Sequence, residues 1–450
     1  MIKKKFLKTI KKLSVSISLA LCITSCISAN LDYTEVDSEI HSSDYSDALN
    51  IIESKVSYYY GLNDKVLVYL DKGILEHFAG YYEKSNENLH KAEVQIEKNF
   101  TKSISQALGQ ALINDTVADY AGETYEDIYT NIFKCLNYIH LNKIEDAMVE
   151  IRRFDNKMKV VGHEYQGIID TQKQNCNSAD ELSAMSAADS EVKFHNSAFA
   201  RYLSMLLYRT AGDYSSAKID YEKIKDAFKY QPEIYNFGMP QNLEDELVMP
   251  EDKARVNVVC FTGKSPIKVE EVIRLPLGDT YFKFAIPILT RRPTEIYGIQ
   301  AVFRAHESDE VYKLNLHAIE SIENIASETY KQHFAAIYGR AVGRAFGKAI
   351  KSGVYGFIAE NSKDSSVGGL FEFLNFASQI GTEVTEFADT RISRYFPGFA
   401  SVGGINIPEG FYTVVVTFYD SSKRSIMSTA IPDYEVKAGE LNLIETTFQR

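Results

Sequence analysis

Apolar positions follow a helical rhythm in the first half of the chain and a strand-like alternation in much of the second. Between Asn196 and Ile224 the helical pattern is clearest. Phe199, Leu203, Leu206 and Leu207 mark one face of a helix, and Gly212-Asp213-Tyr214 interrupts it. Ala217, Tyr221 and Ile224 then mark the face of a second helix. The small Ala217 lets two helix backbones approach closely, while Tyr221 and Ile224 face the next pair. Three other stretches repeat the pattern. Ala48 and Ile52 follow Tyr45; Ser85, Leu89 and Ala92 follow a turn at Gly80, with Gly73 in the helix before it; Ala147, Ile151 and Phe154 follow Asn142.

The four small positions Ala48, Ser85, Ala147 and Ala217 lie 37, 62 and 70 residues apart. The first interval is near the ~34-residue tetratricopeptide period and the other two are near twice it. Degenerate repeats or inserted helices fill the gaps around Ile104–Tyr120 and Ile168–Val192. The pattern predicts an irregular tetratricopeptide-like α-solenoid over 36–235, after a polar tether at 26–43, with a Pro- and acid-punctuated connector at 236–254. From Arg255 the chain alternates. Val256–Phe261, Tyr281–Leu289, Thr294–Arg304, Val311–His317, Gly410–Asp420, Ser425–Ile431 and Leu441–Phe448 read as strands. Helical periodicity returns over Ile319–Ile358 and Leu370–Arg394. The expected class is therefore α+β and multidomain: the solenoid, then a β-sandwich-like domain at 255–317 and 399–450, interrupted by a helical insert at 318–398.

Composition adds a compartment. The 450 residues are 45% hydrophobic and 24% charged, ordinary for globular protein. Met1–Lys12 holds six lysines, and an apolar run from Leu13 to Ile23 follows, too short for a permanent span and suited to a secretory signal. Ile23-Thr24-Ser25-Cys26 resembles the lipobox of bacterial lipoproteins, which makes 1–25 a cleaved signal and Cys26 the lipid-bearing first residue. Cys22 is a poorer acceptor because Leu21 before it is not small. No Asp follows Cys26 to mark inner-membrane retention, so the expected location is the outer membrane, facing the periplasm. Removing the six leader lysines from 49 basic residues leaves 43 against 61 acidic ones, a net −18. Such a surface argues against general nucleic-acid binding, which needs phosphate neutralisation. Cys135, Cys176 and Cys260 have no C-x-x-C spacing, which excludes a disulfide framework or zinc site but leaves one disulfide open.

Two stretches imitate phosphate loops. Gly263-Lys264-Ser265 follows a strand, but Val258 stands where the first glycine belongs, and Pro266 would enter the helix that should follow. Gly339, Gly343 and Gly347 form an i, i+4, i+8 stripe, which suits close packing on a neighbouring element. Nine scattered histidines offer no metal motif, and no Gly-x-Ser-x-Gly elbow occurs. No cofactor, nucleotide or metal is expected, and no catalytic residue stands out. The candidate partner-binding residues are polar groups inside the repeats: Asn114, Asp115, Tyr120, Tyr125, Glu126, Glu150, Arg152, Arg153, Asn196 and Tyr202. Glu150 and Arg153 are spaced to pair on one helix face. These residues either bond helix to helix or line a concave groove.

Five segments, Ala111–Glu126, Ala147–Arg153, Asn196–Tyr208, Gly263–Glu270 and Ala388–Gly410, resemble those of a largely uncharacterised family of bacterial envelope lipoproteins with tetratricopeptide-like helices. Together they run through nearly the whole mature chain. The family's last motif carries a Trp near the position of Ser393; this chain has no Trp, so that packing contact differs. The resemblance implies no activity to transfer, and sets the chain beside lipoproteins that activate peptidoglycan synthases. The function expected is a membrane-anchored, non-catalytic scaffold that binds other envelope proteins, with the peptidoglycan-synthesis machinery among its partners. The alternative is a cell-wall-associated enzyme activator or a protein that binds or acts on peptidoglycan.

Overall fold

Four times the chain reverses between two helices through the same turn. The computed structural model describes residues 31–108, 118–174, 193–277, 280–331, 334 and 388–450. Its paired helices are α1 (Thr34–His41) with α2 (Tyr45–Ser54), α4 (Lys65–Phe78) with α5 (Tyr82–Leu108), α6 (Thr124–His140) with α7 (Ile144–Gln174), and α8 (Ala198–Thr210) with α9 (Tyr214–Tyr230). The short α3 (Val56–Tyr59) follows α2. Between the partners sit Ser43, Gly80, Asn142 and Gly212, each with φ between 56° and 80°. The next N–H in each turn reaches back five residues: Asp44 to Glu39, Tyr81 to Glu76, Lys143 to Tyr138, and Asp213 to Tyr208, at 2.8 to 2.9 Å. That is the Schellman closure, which satisfies carbonyls at the end of the first helix.

Five residues after each left-handed residue comes Ala48, Ser85, Ala147 or Ala217, all fully buried. The turn thus fixes where the second helix may carry only a small side chain. At the second hairpin the approach is close. Ser85 Oγ donates to the Gly73 carbonyl at 2.7 Å, and a Cβ on Gly73 would lie 2.7 Å from Leu89 Cδ2. Gly73→Ala should cost up to about 2 kcal/mol: overpacking of about 1–3, partly offset by about 1 gained in helix propensity. Urea denaturation would measure it, and an unchanged midpoint would mean that the helices can part at no cost.

Helix α1 corrects the tether. Residues 34–41 were expected to be polar linker, but Val36 and Ile40 are fully buried against the helices behind them. A single i, i+4 apolar pair in a polar segment is enough to dock one short helix, and too little to read as a period.

After a 3₁₀ turn at Leu243–Leu247 come the strands β1 (Ala254–Thr262), β2 (Lys264–Leu277), β3 (Thr280–Arg292), β4 (Gly298–Ala305) and β5 (Val311–Ser321). Then follow β6 (Phe399–Ile407), β7 (Gly410–Tyr419), β8 (Ser425–Val436) and β9 (Asn442–Phe448). The fold is mixed α and β, as the change of periodicity predicts. The β part differs from the expected sandwich: β8-β7-β4-β5-β6-β1-β9 form one seven-stranded sheet, and β2-β3 form a separate ribbon. The sheet wraps on itself, so that Phe418 of β7 meets Phe448 of β9 at 5.1 Å although four strands separate them. Strand β5 makes this wrapping continuous, with its N-terminal half on β4 and its end on β6, across a register shift at Ala318/Glu320.

Strands β2 and β6 were not foreseen. Proline and charge break the alternation of β2, and Gly403-Gly404 interrupts that of β6. Those glycines answer to their neighbours: a Cβ on Gly404 would lie 1.9 Å from Glu246 Oε1. In the expected helical insert, Ala318–Ser321 still belong to β5, residues 322–331 are helical, and 388–398 run as an irregular strap. The stripe of Gly339, Gly343 and Gly347 lies outside the described residues.

Helices and sheet share a core. Every residue of β1 is buried. Val256, Val258 and Cys260 point into the apolar interior of the sheet, while Val259 and Phe261 join the core of the helices. Phe261 touches Phe78, Phe133 and Phe199, rings from three successive hairpins, at 5.3 to 6.0 Å. The connector at 236–254 therefore separates two kinds of element along the chain without dividing their packing.

Candidate functional site

The strap carries Ala388-Asp389-Thr390-Arg391-Ile392-Ser393-Arg394-Tyr395-Phe396, and its side chains divide between the core and polar partners. Tyr395 and Phe396 are fully buried, with Phe396 against Tyr125 and Phe133. The polar members reach the helices. Arg391 grips Asp389 with Nε and Nη2, both at 2.8 Å, and extends Nη1 to Asp64 (3.2 Å) and the Ala118 carbonyl (2.9 Å). Burial works to raise Asp389, yet the Arg391 guanidinium and the Lys268 ammonium hold it below the usual carboxylate range. Ser393 donates from Oγ to Asp71 at 2.5 Å and from its backbone to Glu126 at 2.5 Å. Arg394 donates its backbone N–H to Asp71 at 3.2 Å.

Glu126 sits one turn into α6, and its side chain reaches back to accept the N–H of Glu123 at 2.7 Å, as helix starts commonly arrange. The same oxygen accepts from Tyr120 Oη at 2.8 Å. Burial, aided by the nearby Glu123, pushes Glu126 up to about 8. Asp71 also accepts from Tyr60 Oη at 2.8 Å, and burial pushes it up to about 6. Lys268 of β2 pairs with Glu123 and lies over the rings of Tyr120 and Tyr330.

Beside this weld opens a cleft of about 480 Å³. Its rim is formed by the first described residues, Leu31 to Thr34, and its walls include Tyr59, Asp64, Asp71, Lys268, Arg391 and Arg394. A second cleft, of about 550 Å³, lies between α5, α7 and the start of α6, where Val94 and Val160 are about half exposed beside Glu93, Arg153 and Lys157. Both volumes fall within the usual range for ligand sites.

Most of the residues expected to line a groove are placed elsewhere. Tyr120, Tyr125, Glu126, Glu150 and Tyr202 are buried, bonding helix to helix or helix to sheet, so a partner cannot touch them in this conformation. A polar group in a long helix invites a groove reading because sequence does not show which element packs across it. Tyr202 accepts from Asn257 of β1, and that amide also binds Glu246, between the buried Arg209 and Arg255. Glu150 takes Lys134 and Asn131 on one oxygen and Arg153 on the other, the last at 3.2 Å. Asn196 is half-buried and ties the start of α8 to the Lys223 carbonyl of α9. Arg152 and Arg153 are exposed. Asn114, Asp115 and Cys26, the expected lipid acceptor, lie outside the described residues, as does Cys176. Cys135 and Cys260 are buried free thiols, and burial pushes Cys260 up to about 12.

Two junctions had no sequence signal. Glu320 of β5 is fully buried and accepts from Tyr129, Ser197, Tyr235 and the backbone of Phe199 at the start of α8. Glu445 of β9 accepts from His77 at 2.6 Å and His140 at 2.9 Å, and these histidines hold it well below the usual range in spite of burial. Among the described residues, Glu39, Asp44 and Asp47 alone could gather around a metal ion; they lie at a largely exposed turn where Asp44 already caps α2. Comparison with known protein families, with curated proteins and with solved structures finds no match to this chain.

Proposed function

We propose that the chain is a lipid-anchored, non-catalytic scaffold of the bacterial cell envelope, which binds other envelope proteins through an irregular tetratricopeptide-like array of helical hairpins. The observation that carries the reading is the fourfold recurrence of one unit, a left-handed turn residue followed five positions later by a fully buried small one. Repeated hairpins stack into extended surfaces suited to partner binding. The cleft between α5 and α7 supplies such a surface, apolar at Val94 and Val160 and charged at its rim. The lipobox-like Ile23–Cys26 supports the anchor, and the outer membrane, facing the periplasm, is the proposed location. The resemblance of the five segments supports the peptidoglycan-synthesis machinery as partner.

The docking of α1 shortens the link to the membrane. From Cys26 to Leu31 the chain spans five residues, at most about 18 Å when fully extended. Acyl chains on Cys26 would therefore hold the body, and the cleft edged by Leu31, beside the lipid headgroups.

Cys26→Ala should abolish radiolabelled palmitate incorporation and move the processed protein from the membrane fraction to the soluble one. A processed variant that stays with the membrane would refute the anchor. For the scaffold, crosslinking in intact cells followed by affinity capture should recover one or two envelope proteins, lost when Val94 and Val160 are both replaced by Glu. The second reading, binding of cell-wall fragments, is favoured by the polar cleft at the strap; recovery of glycan fragments with no enriched protein would select it.

A further inference from the structure

Leu62 is 94% exposed, the most accessible large apolar side chain among the described residues. It stands in the loop between α3 and α4, and the fold braces the backbone on both sides of it. The Gly61 N–H donates to Asp64 Oδ2 at 2.7 Å, and the Asn63 carbonyl accepts from the Tyr120 N–H at 2.9 Å. Asp64 is held in turn by Arg391 of the strap at 3.2 Å. A bare leucine is thus presented from a fixed turn. One exposed leucine is ordinary on a protein surface, so its company decides what it means.

Tyr58 of α3, four residues earlier, is 48% exposed, and its hydroxyl accepts from the Asp32 N–H at 3.4 Å. Asp32 is six residues beyond Cys26, at most about 22 Å of extended chain. Because α1 and α2 form a hairpin, α1 begins at the end where α2 gives way to α3 and where α4 starts. Leu31 to Thr34 accordingly share the walls of one cleft with Tyr59, Tyr60 and Asp64. The chain toward Cys26, the half-exposed tyrosine and the bare leucine therefore leave the body from one end. The cations there suit a bilayer surface: Lys55 is neutralised by Glu35, and Lys65 is exposed on a stem long enough to keep its ammonium in water.

We propose that this end is a membrane-contacting surface, in which Leu62 enters the acyl region of the bilayer and Tyr58 rests among the headgroups. A tyrosine has an apolar ring and a polar tip, which matches the headgroup level, and a leucine matches the hydrocarbon beneath it. The inference rests on lipidation of Cys26 and adds an orientation to it. The fourteen residues of α4 lead away from the lipid, so the turn at Gly80 and Tyr81 stands up to about 21 Å farther out. One lipidated residue lets a body roll on the membrane; a second contact beside it fixes which face the hairpins turn to their partners.

The chain has no tryptophan, so one substitution supplies a unique fluorescent reporter. Leu62→Trp places it at the proposed contact and Tyr81→Trp at the far turn, both at exposed positions that leave the core untouched. Each variant, purified from membranes with its own N-terminus, is reconstituted into phosphatidylethanolamine–phosphatidylglycerol vesicles brominated near the glycerol end of the acyl chains. Emission is read on the floated fraction. The reporter at position 62 should lose about half its emission relative to vesicles without bromine, the loss expected for a side chain lodged just below the headgroups. The reporter at position 81 should be unchanged. No quenching at position 62, or equal quenching at both positions, overturns the proposal. Mass spectrometry of the N-terminus separates this failure from failure of the anchor. An acylated chain that floats with position 62 unquenched refutes the contact alone, whereas a chain without acyl groups refutes the anchor and the contact with it.

Discussion

Replacing Glu246 by alanine is expected to destabilise the protein by about 3–5 kcal/mol, the range for removing one partner of a buried ion pair. Glu246 is 2% exposed and neutralises two guanidiniums, Arg209 at 2.6 Å and Arg255 at 2.5 Å, both nearly inaccessible to water. Arg209 belongs to α8 and Arg255 to β1, and Asn257 of β1 also donates to Glu246 at 2.7 Å. Without the carboxylate, two positive charges face each other between helices and sheet without the group that pairs with both. Exposed pairs give a built-in control: Glu222 with Lys225 is about half exposed on both sides, and Glu222→Ala should cost less than about 0.5 kcal/mol. Urea denaturation of both variants makes the comparison. A loss under about 1 kcal/mol for Glu246→Ala would show that water reaches the pair and that this junction does not hold the layers together.

The same junctions mark how far the chain could be read. Helical hairpins were legible because the turn is local: a left-handed residue, then a small residue at fixed spacing, and both leave their signature within a dozen positions. The strands β1, β7 and β9 were legible because each is a short run rich in β-branched and aromatic residues. What pattern could not reveal is which polar groups meet across elements. Glu126 and Ser393 are 267 residues apart in the chain, and Tyr129 and Glu320 are 191 apart. Neither member of such a pair carries a local mark of its partner. Residues far apart in the chain nevertheless converge in space: Glu126, Lys268 and the strap residues Arg391 and Ser393 meet at one weld. The single sheet was illegible for a related reason, since its wrapping depends on one long strand, β5, serving two sets of neighbours.

Glu126 makes the weld sensitive to pH in a direction that can be stated. Its folded-state value of about 8 stands above the ordinary 4.5, because burial and the adjacent Glu123 disfavour the charged form. Below about pH 4.5 the carboxyl is protonated in both folded and unfolded chains, and its contribution to stability is intact. As pH rises, the unfolded chain ionises freely while the folded one resists, so stability falls until the folded carboxyl also ionises near pH 8. The slope from one such group is at most about 1.4 kcal/mol per pH unit. Asp71, raised to about 6, acts in the same sense but has largely ionised above that pH, which leaves pH 6 to 8 as the window for Glu126. Glu126→Gln should flatten the dependence there. At pH 6 it should be less stable than the native protein by about 1 kcal/mol, since both carboxyl oxygens accept backbone N–H groups, from Glu123 and Ser393, and an amide has one accepting oxygen only. The difference should shrink or reverse at pH 8, where the native carboxyl has become a buried charge. Urea midpoints at the two pH values decide it. Equal slopes for the two proteins would mean that the charge on Glu126 is compensated, with Lys268 serving Glu126 as well as Glu123, and the strap would then be held equally at both pH values.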